Sequence, residues 1–155
     1  MSDGKTYFYE TEAEWTGAKD LKLSGAKQPA IAAGAPPEFQ GREENWSPEH
    51  LFVASLNSCY VLTLIAIAEF SKVALVSCSS TAKGKLEKLQ GSGYQISEIV
   101  VKPKVVLASA GDLSRMPRIL AKAKDNCFIS NSIKATIRIE PEVFHQQTPI
   151  SPCPL

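Results

Sequence analysis

Four cysteines stand in this 155-residue chain, at positions 59, 78, 127 and 153. A thiolate, not a thiol, is the reactive form of cysteine, so each position turns on what nearby would favour the charged form. Cys59 lies within Leu51–Ala68, a run with no charged residue. Apart from His50, no basic residue lies within ten positions N-terminal of Cys59, so help in ionising it has to come from elsewhere in the fold. As a small buried hydrophobe, Cys59 would need no help at all. Cys127, in Asp125-Asn126-Cys127-Phe128, reads either as a residue packed under Ile129 or as a second redox thiol. Pairing with Cys59 requires the two Cα atoms to come within roughly 7 Å.

Glu49 is the nearest carboxylate that precedes Cys59. Near the start of a helix it complements the helix dipole without any further role. As a functional group it would orient a cation beside the thiol. Ten positions separate Glu49 from Cys59, roughly 15 Å along a straight helix, so a shared site needs a second copy of that helix. Cys78 has the parity of Val76 in a strand pattern and reads as core. Cys153 sits between two prolines. His50 and His145 do not pair with cysteines at metal-ligand spacing, so neither a metal nor any other cofactor is expected. The chain has no Gly-rich phosphate loop and no Gly-x-Ser-x-Gly elbow.

These residues need elements to position them. Ser47-Pro48-Glu49 predicts a helix start, with Ser47 as N-cap and Pro48 at the first helical position. The apolar run carries that helix to about Phe70. Such a segment can be a membrane span, but a helix apolar nearly all round is also what a buried central helix looks like. The polar interruptions Ser55, Asn57, Ser58 and Thr63 and the strands downstream favour the second reading. Strands are predicted over 5–15, 21–24, 29–33, 73–89 and 95–107, with turns at 16–20 and at Gly91-Ser92-Gly93 and a loop over 34–45. Pro103 suggests an edge strand or a bulge. A second helix is expected from Ser114 as N-cap to about Asn126, with Leu113, Met116, Leu120 and Ala123 near one face and Cys127 at its end. Residues 133–139 alternate as a last strand, and the segment from Phe144 reads as irregular. This order is that of an α+β domain.

The composition is ordinary for a globular chain of this length: 44% hydrophobic, 21% charged and a formal net charge of +1. That balance gives no electrostatic case for nucleic acid or for an anionic membrane surface. The polar N-terminal residues lack the apolar core of a secretory signal. A cytoplasmic, reducing compartment is therefore expected, and there a spaced cysteine pair reads as redox-active rather than structural.

Two stretches resemble signatures of the OsmC/Ohr family, the osmotically inducible and organic hydroperoxide resistance proteins of bacteria. One is Pro37-Glu38-Phe39-Gln40-Gly41 followed by the run from Trp46 through Ser47-Pro48-Glu49-His50-Leu51 to Ser58-Cys59-Tyr60. The other is Ala123 to Ile133, around Cys127. The resemblance covers nearly the whole chain. It implies an OsmC-like fold over residues 1–143 with an irregular tail at 144–155, a long buried central helix on antiparallel sheets, and an intertwined homodimer. It also implies that Cys59 is the peroxidatic and Cys127 the resolving cysteine, and that Glu49 is the carboxylate that organises the site. One departure is visible. The hydroperoxide resistance branch carries an arginine in the N-terminal turn, where this chain reads Gly17-Ala18-Lys19-Asp20. The osmotically inducible branch carries one before Phe-x-Gly, where this chain has Glu38. Lys19 or Arg42 is the expected substitute, and the chain looks like a divergent branch.

The function so implied is reduction of alkyl or lipid hydroperoxides through a Cys59 sulfenic acid and a Cys59–Cys127 disulfide, recycled by an external dithiol. Phe52, Leu56, Tyr60 and Phe128 would line the substrate site, with Lys19 beside them. Neither nucleic acid nor membrane is an expected partner. Two other classes stay open: a non-catalytic binder of a small apolar or lipid ligand in the dimer cleft, and a thiol redox sensor.

Overall fold

The computed structural model describes residues 4–147; Cys153 and the end of the tail lie outside them. The chain forms two compact units that meet in sequence between Leu51 and Phe52.

The first unit is a three-stranded antiparallel sheet, β1 (Glu12–Gly17), β2 (Asp20–Ser24) and β3 (Ile31–Gly34), in that spatial order. The first strand begins later than the alternation of residues 5–15 predicts and runs two residues into the expected turn. A tight connection at Ala18-Lys19 follows, with Ala18 at φ 47°. After a short 3-10 turn at Pro37–Phe39 the chain reaches Ser47, the N-cap of α1 (Pro48–Phe70). Its hydroxyl accepts the His50 amide at 3.2 Å, and the Leu51 amide bonds its carbonyl at 3.0 Å, as the Ser-Pro-Glu start predicts.

The second unit holds the rest of α1 and a mixed sheet. Leu56, Tyr60, Leu64 and Ala68 recur every four residues, form one stripe of the helix and are fully buried. Each leucine of that kind contributes roughly 1.5–3 kcal/mol by leaving water. The remaining faces of the helix are half-buried or exposed, with Leu62 67% and Phe70 88% accessible, so in this chain the central helix is buried along one stripe only. α1 is long and apolar enough to cross a membrane by length and composition alone; its buried stripe belongs to the core that also holds residues of the sheet and of the second helix. The helix ends in a Schellman motif, with Lys72 at φ 56° and the Val73 amide bonding Ala68 O at 2.9 Å. Lysine there occupies the left-handed position that usually goes to glycine.

β4 (Leu75–Leu89) and β5 (Gly93–Leu107) form a long antiparallel hairpin, turned at the positive-φ residues Gly91 and Gly93. After a 3-10 segment at Ala110–Arg115 comes α2 (Met116–Asn126), then a 3-10 turn at Ser130–Ser132 and two short strands, β6 (Thr136–Ile139) and β7 (Glu142–His145). Both short strands pair with β5 and run parallel to it. The fold is the expected α+β arrangement with a helix packed on sheets, but three details differ. The sheet is mixed rather than antiparallel. Strand β7 occupies the start of the segment read as irregular. Ser109, not Ser114, caps the start of the second helical region, where its hydroxyl accepts the Gly111 amide.

Pro103 lies in the central strand β5, not at an edge. On its far side β6 pairs with residues 98–101 and β7 with residues 104–107. Pro103 thus falls in the gap between two partner strands, where a missing N–H costs no ladder bond.

Gly84 in β4 lets the strand approach α1. A Cβ there would stand 2.6 Å from Val53 Cγ2, too close for a stiff, branched side chain to yield. Gly84→Val is expected to cost about 1–3 kcal/mol by overpacking. The urea midpoint measures it, and adding Val53→Ala in the same chain should recover much of the loss.

Candidate functional site

Cys59 stands in the middle of α1, 100° round the helix from Tyr60, at the border between the buried stripe and the accessible face. It is half-buried, whereas Cys127 is fully buried. Cys127 is the C-cap of α2. Its φ of −74° and ψ of 114° take the chain out of the helix, and the residues after it fold into a tight turn. That turn is tied by Asn131 N–H to Cys127 O at 3.1 Å, Ser132 N–H to Ile129 O at 3.0 Å and the Ser132 hydroxyl to Phe128 O at 2.7 Å. It aims three successive backbone amides at sulfur.

The two thiols meet. Burial of Cys59 favours its neutral form, but donors outweigh burial and hold the thiol below its ordinary value: the Ile129 amide, the Cys127 thiol and the Phe128 amide, with a lesser part from the nearby Thr63 hydroxyl, which in this geometry donates to the Cys59 carbonyl at 2.8 Å. For Cys127 the balance is the reverse. Burial pushes it up; the Ser130 hydroxyl and amide pull against that, while donation to Cys59 and the charge there add to the rise. Both partners therefore give one preferred proton placement: Cys59 is the easier of the two to ionise, and Cys127 is the one that holds its proton. Row-by-row amides curled around an anion make a nest of fixed dipoles. Below these groups Tyr60 is anchored through its hydroxyl to Leu120 O at 3.2 Å. Burial pushes its phenol far up, as do Cys78 and Cys127 nearby.

The other expected site residues divide between the units. Phe52 and Phe128 are accessible, at 36% and 81%. Phe52 lies seven residues before Cys59, so it shares that face of α1, and Phe128 belongs to the turn that holds the sulfurs. Leu56 and Tyr60 are core residues with no accessible surface, and here they support the helix rather than line an opening. In the first unit, Arg42 does not reach Glu49. Its Nε pairs with Asp20 at 3.2 Å, and Asn45 Nδ2 donates to the same carboxylate at 3.0 Å, so the loop before α1 is clamped to the start of β2. Lys19 sits in the β1–β2 turn, where its carbonyl accepts the Ala35 amide. Glu49 is half-buried, and its Oε2 is enclosed without a hydrogen-bond partner. Among the described residues, then, no cation is held by Glu49. Among the described residues no cluster of His, Cys, Asp and Glu is placed to hold a metal.

Three contributors had no sequence signal of their own: the amides of Phe128 and Ile129, and Thr63, one turn beyond Cys59. A backbone donor belongs to no residue type. Only the helix end at Asn126 hinted that amides would be free there.

The model of the family described as OsmC-like protein matches residues 41–142. The uncharacterised protein YmaD of Bacillus subtilis is 25% identical over 140 residues, covering 88% of this chain and 92% of its own. Peroxiredoxin OsmC of Escherichia coli is 29% identical over 102 residues, 66% of this chain and 69% of its own. Among solved structures, an OsmC-like protein of unknown function from Vibrio cholerae superposes with a TM-score of 0.82 at 24% identity, over 88% of this chain and 99% of that one. An organic hydroperoxide resistance protein OsmC from Legionella pneumophila superposes with a TM-score of 0.69 at 20% identity, over 91% and 99%.

The proton placement predicts an order of reactivity. Iodoacetamide at neutral pH should label Cys59 before Cys78, whose thiol burial pushes up. The sign follows from the thiolate fraction: labelling of Cys59 should persist below the pH at which a free thiol stops reacting, and Cys78 should need more alkaline pH than a free thiol. Peptide mass mapping against pH measures both.

Proposed function

Because this chain belongs to the OsmC-like protein family, we propose that it is a thiol peroxidase that reduces organic hydroperoxides to alcohols. The observation that carries the reading is the contact between the two thiols, in which hydrogen-bond donors lower the Cys59 thiol while burial raises that of Cys127. A peroxidase needs just that division. The thiolate attacks the distal peroxide oxygen, the O–O bond breaks, and the alkoxide leaves as alcohol on taking up a proton. Cys59 is left as sulfenic acid. Cys127 then closes the disulfide with release of water, and an external dithiol reduces it by exchange.

Two names among the relatives support the class. One is called a peroxiredoxin and one an organic hydroperoxide resistance protein. The apolar rings of Phe128, in the turn at the sulfurs, and of Phe52, two turns before Cys59 on the same face of α1, favour an alkyl or lipid peroxide over hydrogen peroxide. No cofactor takes part, and recycling by a dithiol suits a cytoplasmic setting.

The working form is a homodimer on this reading. Phe52, Leu62, Phe70 and Phe128 leave a broad apolar surface in the single chain, of the kind that marks an association site. Two antiparallel central helices would bring Glu49 of one protomer towards Cys59 of its partner and give its enclosed oxygen a setting. Residues 1–143 then act as one OsmC-like domain, since the family match runs across the division at Leu51 and Phe52.

Two measurements test this. Cys59→Ser should abolish turnover of cumene hydroperoxide, while Cys127→Ser should complete one turnover and stop, with overoxidised Cys59 accumulating. Parental turnover in Cys59→Ser would sink the reading. Sedimentation should give twice the 16.8 kDa chain mass at micromolar concentration; a stable monomer would exclude the homodimer.

A further inference from the structure

The turn that follows Cys127 contains a hydroxyl with nothing to bond. Ser130 Oγ is enclosed and has no hydrogen-bond partner. Its neighbours are engaged: Asn131 through its amide to Cys127 O and its side chain to Asp125 O, and Ser132 through its amide to Ile129 O and its hydroxyl to Phe128 O. The Ser130 amide already points at the Cys127 sulfur, and its hydroxyl stands near enough to favour charge there, yet short of a regular hydrogen bond. A neutral thiol is a weak acceptor for such a hydroxyl, and a thiolate is a strong one.

In the reduced site Cys127 keeps its proton, and burial opposes charge on it. The cycle nevertheless puts charge on this sulfur twice. To close the disulfide, Cys127 gives up its proton and attacks Cys59 Sγ. The S–S bond forms, the S–O bond of the sulfenic acid breaks, and the departing hydroxide takes the proton and leaves as water. To reopen it, one thiolate of the external dithiol attacks Cys59 Sγ, and the S–S bond breaks with its electron pair on Cys127 Sγ. The second thiol of the reductant then displaces Cys59, so that the dithiol ends as a disulfide and both protein sulfurs are reduced. A serine hydroxyl free to rotate needs no rearrangement of the turn to answer either event.

We propose that Ser130 is a positioning residue for the disulfide half of the cycle, turning its hydroxyl onto Cys127 Sγ whenever that sulfur becomes negative. This rests on the peroxidase reading above and deepens it. Ser130 plays no part in the first step, in which Cys59 meets peroxide under the Phe128 and Ile129 amides.

The test uses the full chain with Ser130→Ala and Ser130→Thr, mixed with one equivalent of organic peroxide and followed in single turnover. Sulfenic acid formation and disulfide closure are separate phases. In Ser130→Ala the first phase should match the parent, while the second slows on the order of tenfold, the scale of one hydrogen bond to a charged group. The pH midpoint of the second phase should rise, and overoxidised Cys59 should increase. Ser130→Thr, which keeps the hydroxyl, should restore both. A second phase and midpoint unchanged in Ser130→Ala would overturn the proposal. Failure of the peroxidase reading looks different, because the parent itself would then lack the first phase. In that event thiolate absorbance settles the contact by comparing Cys59→Ser with Cys59→Ser/Ser130→Ala. A titration midpoint that rises when the hydroxyl is removed supports it, and an unmoved one overturns it.

Discussion

One proton shared between two sulfurs governs the site. With both cysteines neutral there would be no nucleophile, and with both ionised two negative charges would face each other in a half-buried space. Donation from Cys127 to Cys59 resolves this, because a single S–H then stabilises the neighbouring thiolate and keeps Cys127 neutral. The arrangement depends on where α2 stops. Were the helix to continue by another turn, the amides of residues 128–130 would be spent on carbonyls of the preceding turn. The extended ψ of 114° at Cys127 prevents that and releases three donors at the place where the charge sits.

The same constraint explains the build of the central helix. Cys59 has to be held at a fixed height, and Leu56, Tyr60, Leu64 and Ala68 do so by filling one stripe with no accessible surface. Tyr60 adds a direct tie to α2 through Leu120 O, so the element that carries Cys59 is pinned to the element that ends in Cys127. Asn57 adds another, its Nδ2 donating to Ser80 O in β4 at 3.2 Å. The cysteine borders both the packed stripe and the open face, which gives the sulfur its fixed position and its access together.

What could be read in the sequence was what is written locally. Ser47-Pro48 announces a helix start because the cap and the missing proline N–H are properties of those residues, and the long apolar run carries the helix to Phe70. The end of α1 falls at Phe70 as the apolar run indicates, although the left-handed residue that closes it, Lys72, is not the glycine that usually marks such an end. Pro103 misled because its tolerance depends on a gap between two strands that are distant in the chain. Arg42 misled for a related reason: Asp20 lies twenty-two positions earlier, and nothing local says that it, rather than Glu49, is the nearer carboxylate. The cysteine pair was legible through its family signature. The amides and the hydroxyl that tune it were not, because their role is set by where the backbone turns.

The source of activation also bears on how this branch departs from its family's pattern. Among the described residues, the groups that lower the Cys59 thiol are neutral: two amides, a thiol and a hydroxyl. Fixed backbone dipoles keep their orientation without the entropy cost of ordering a long side chain, and close contact in a half-buried site leaves little room for salt to screen them. A cationic side chain brings a larger charge but must be desolvated and held by a carboxylate. With Arg42 committed to Asp20, the neutral groups of the turn and of α1 together outweigh the effect of burial on Cys59.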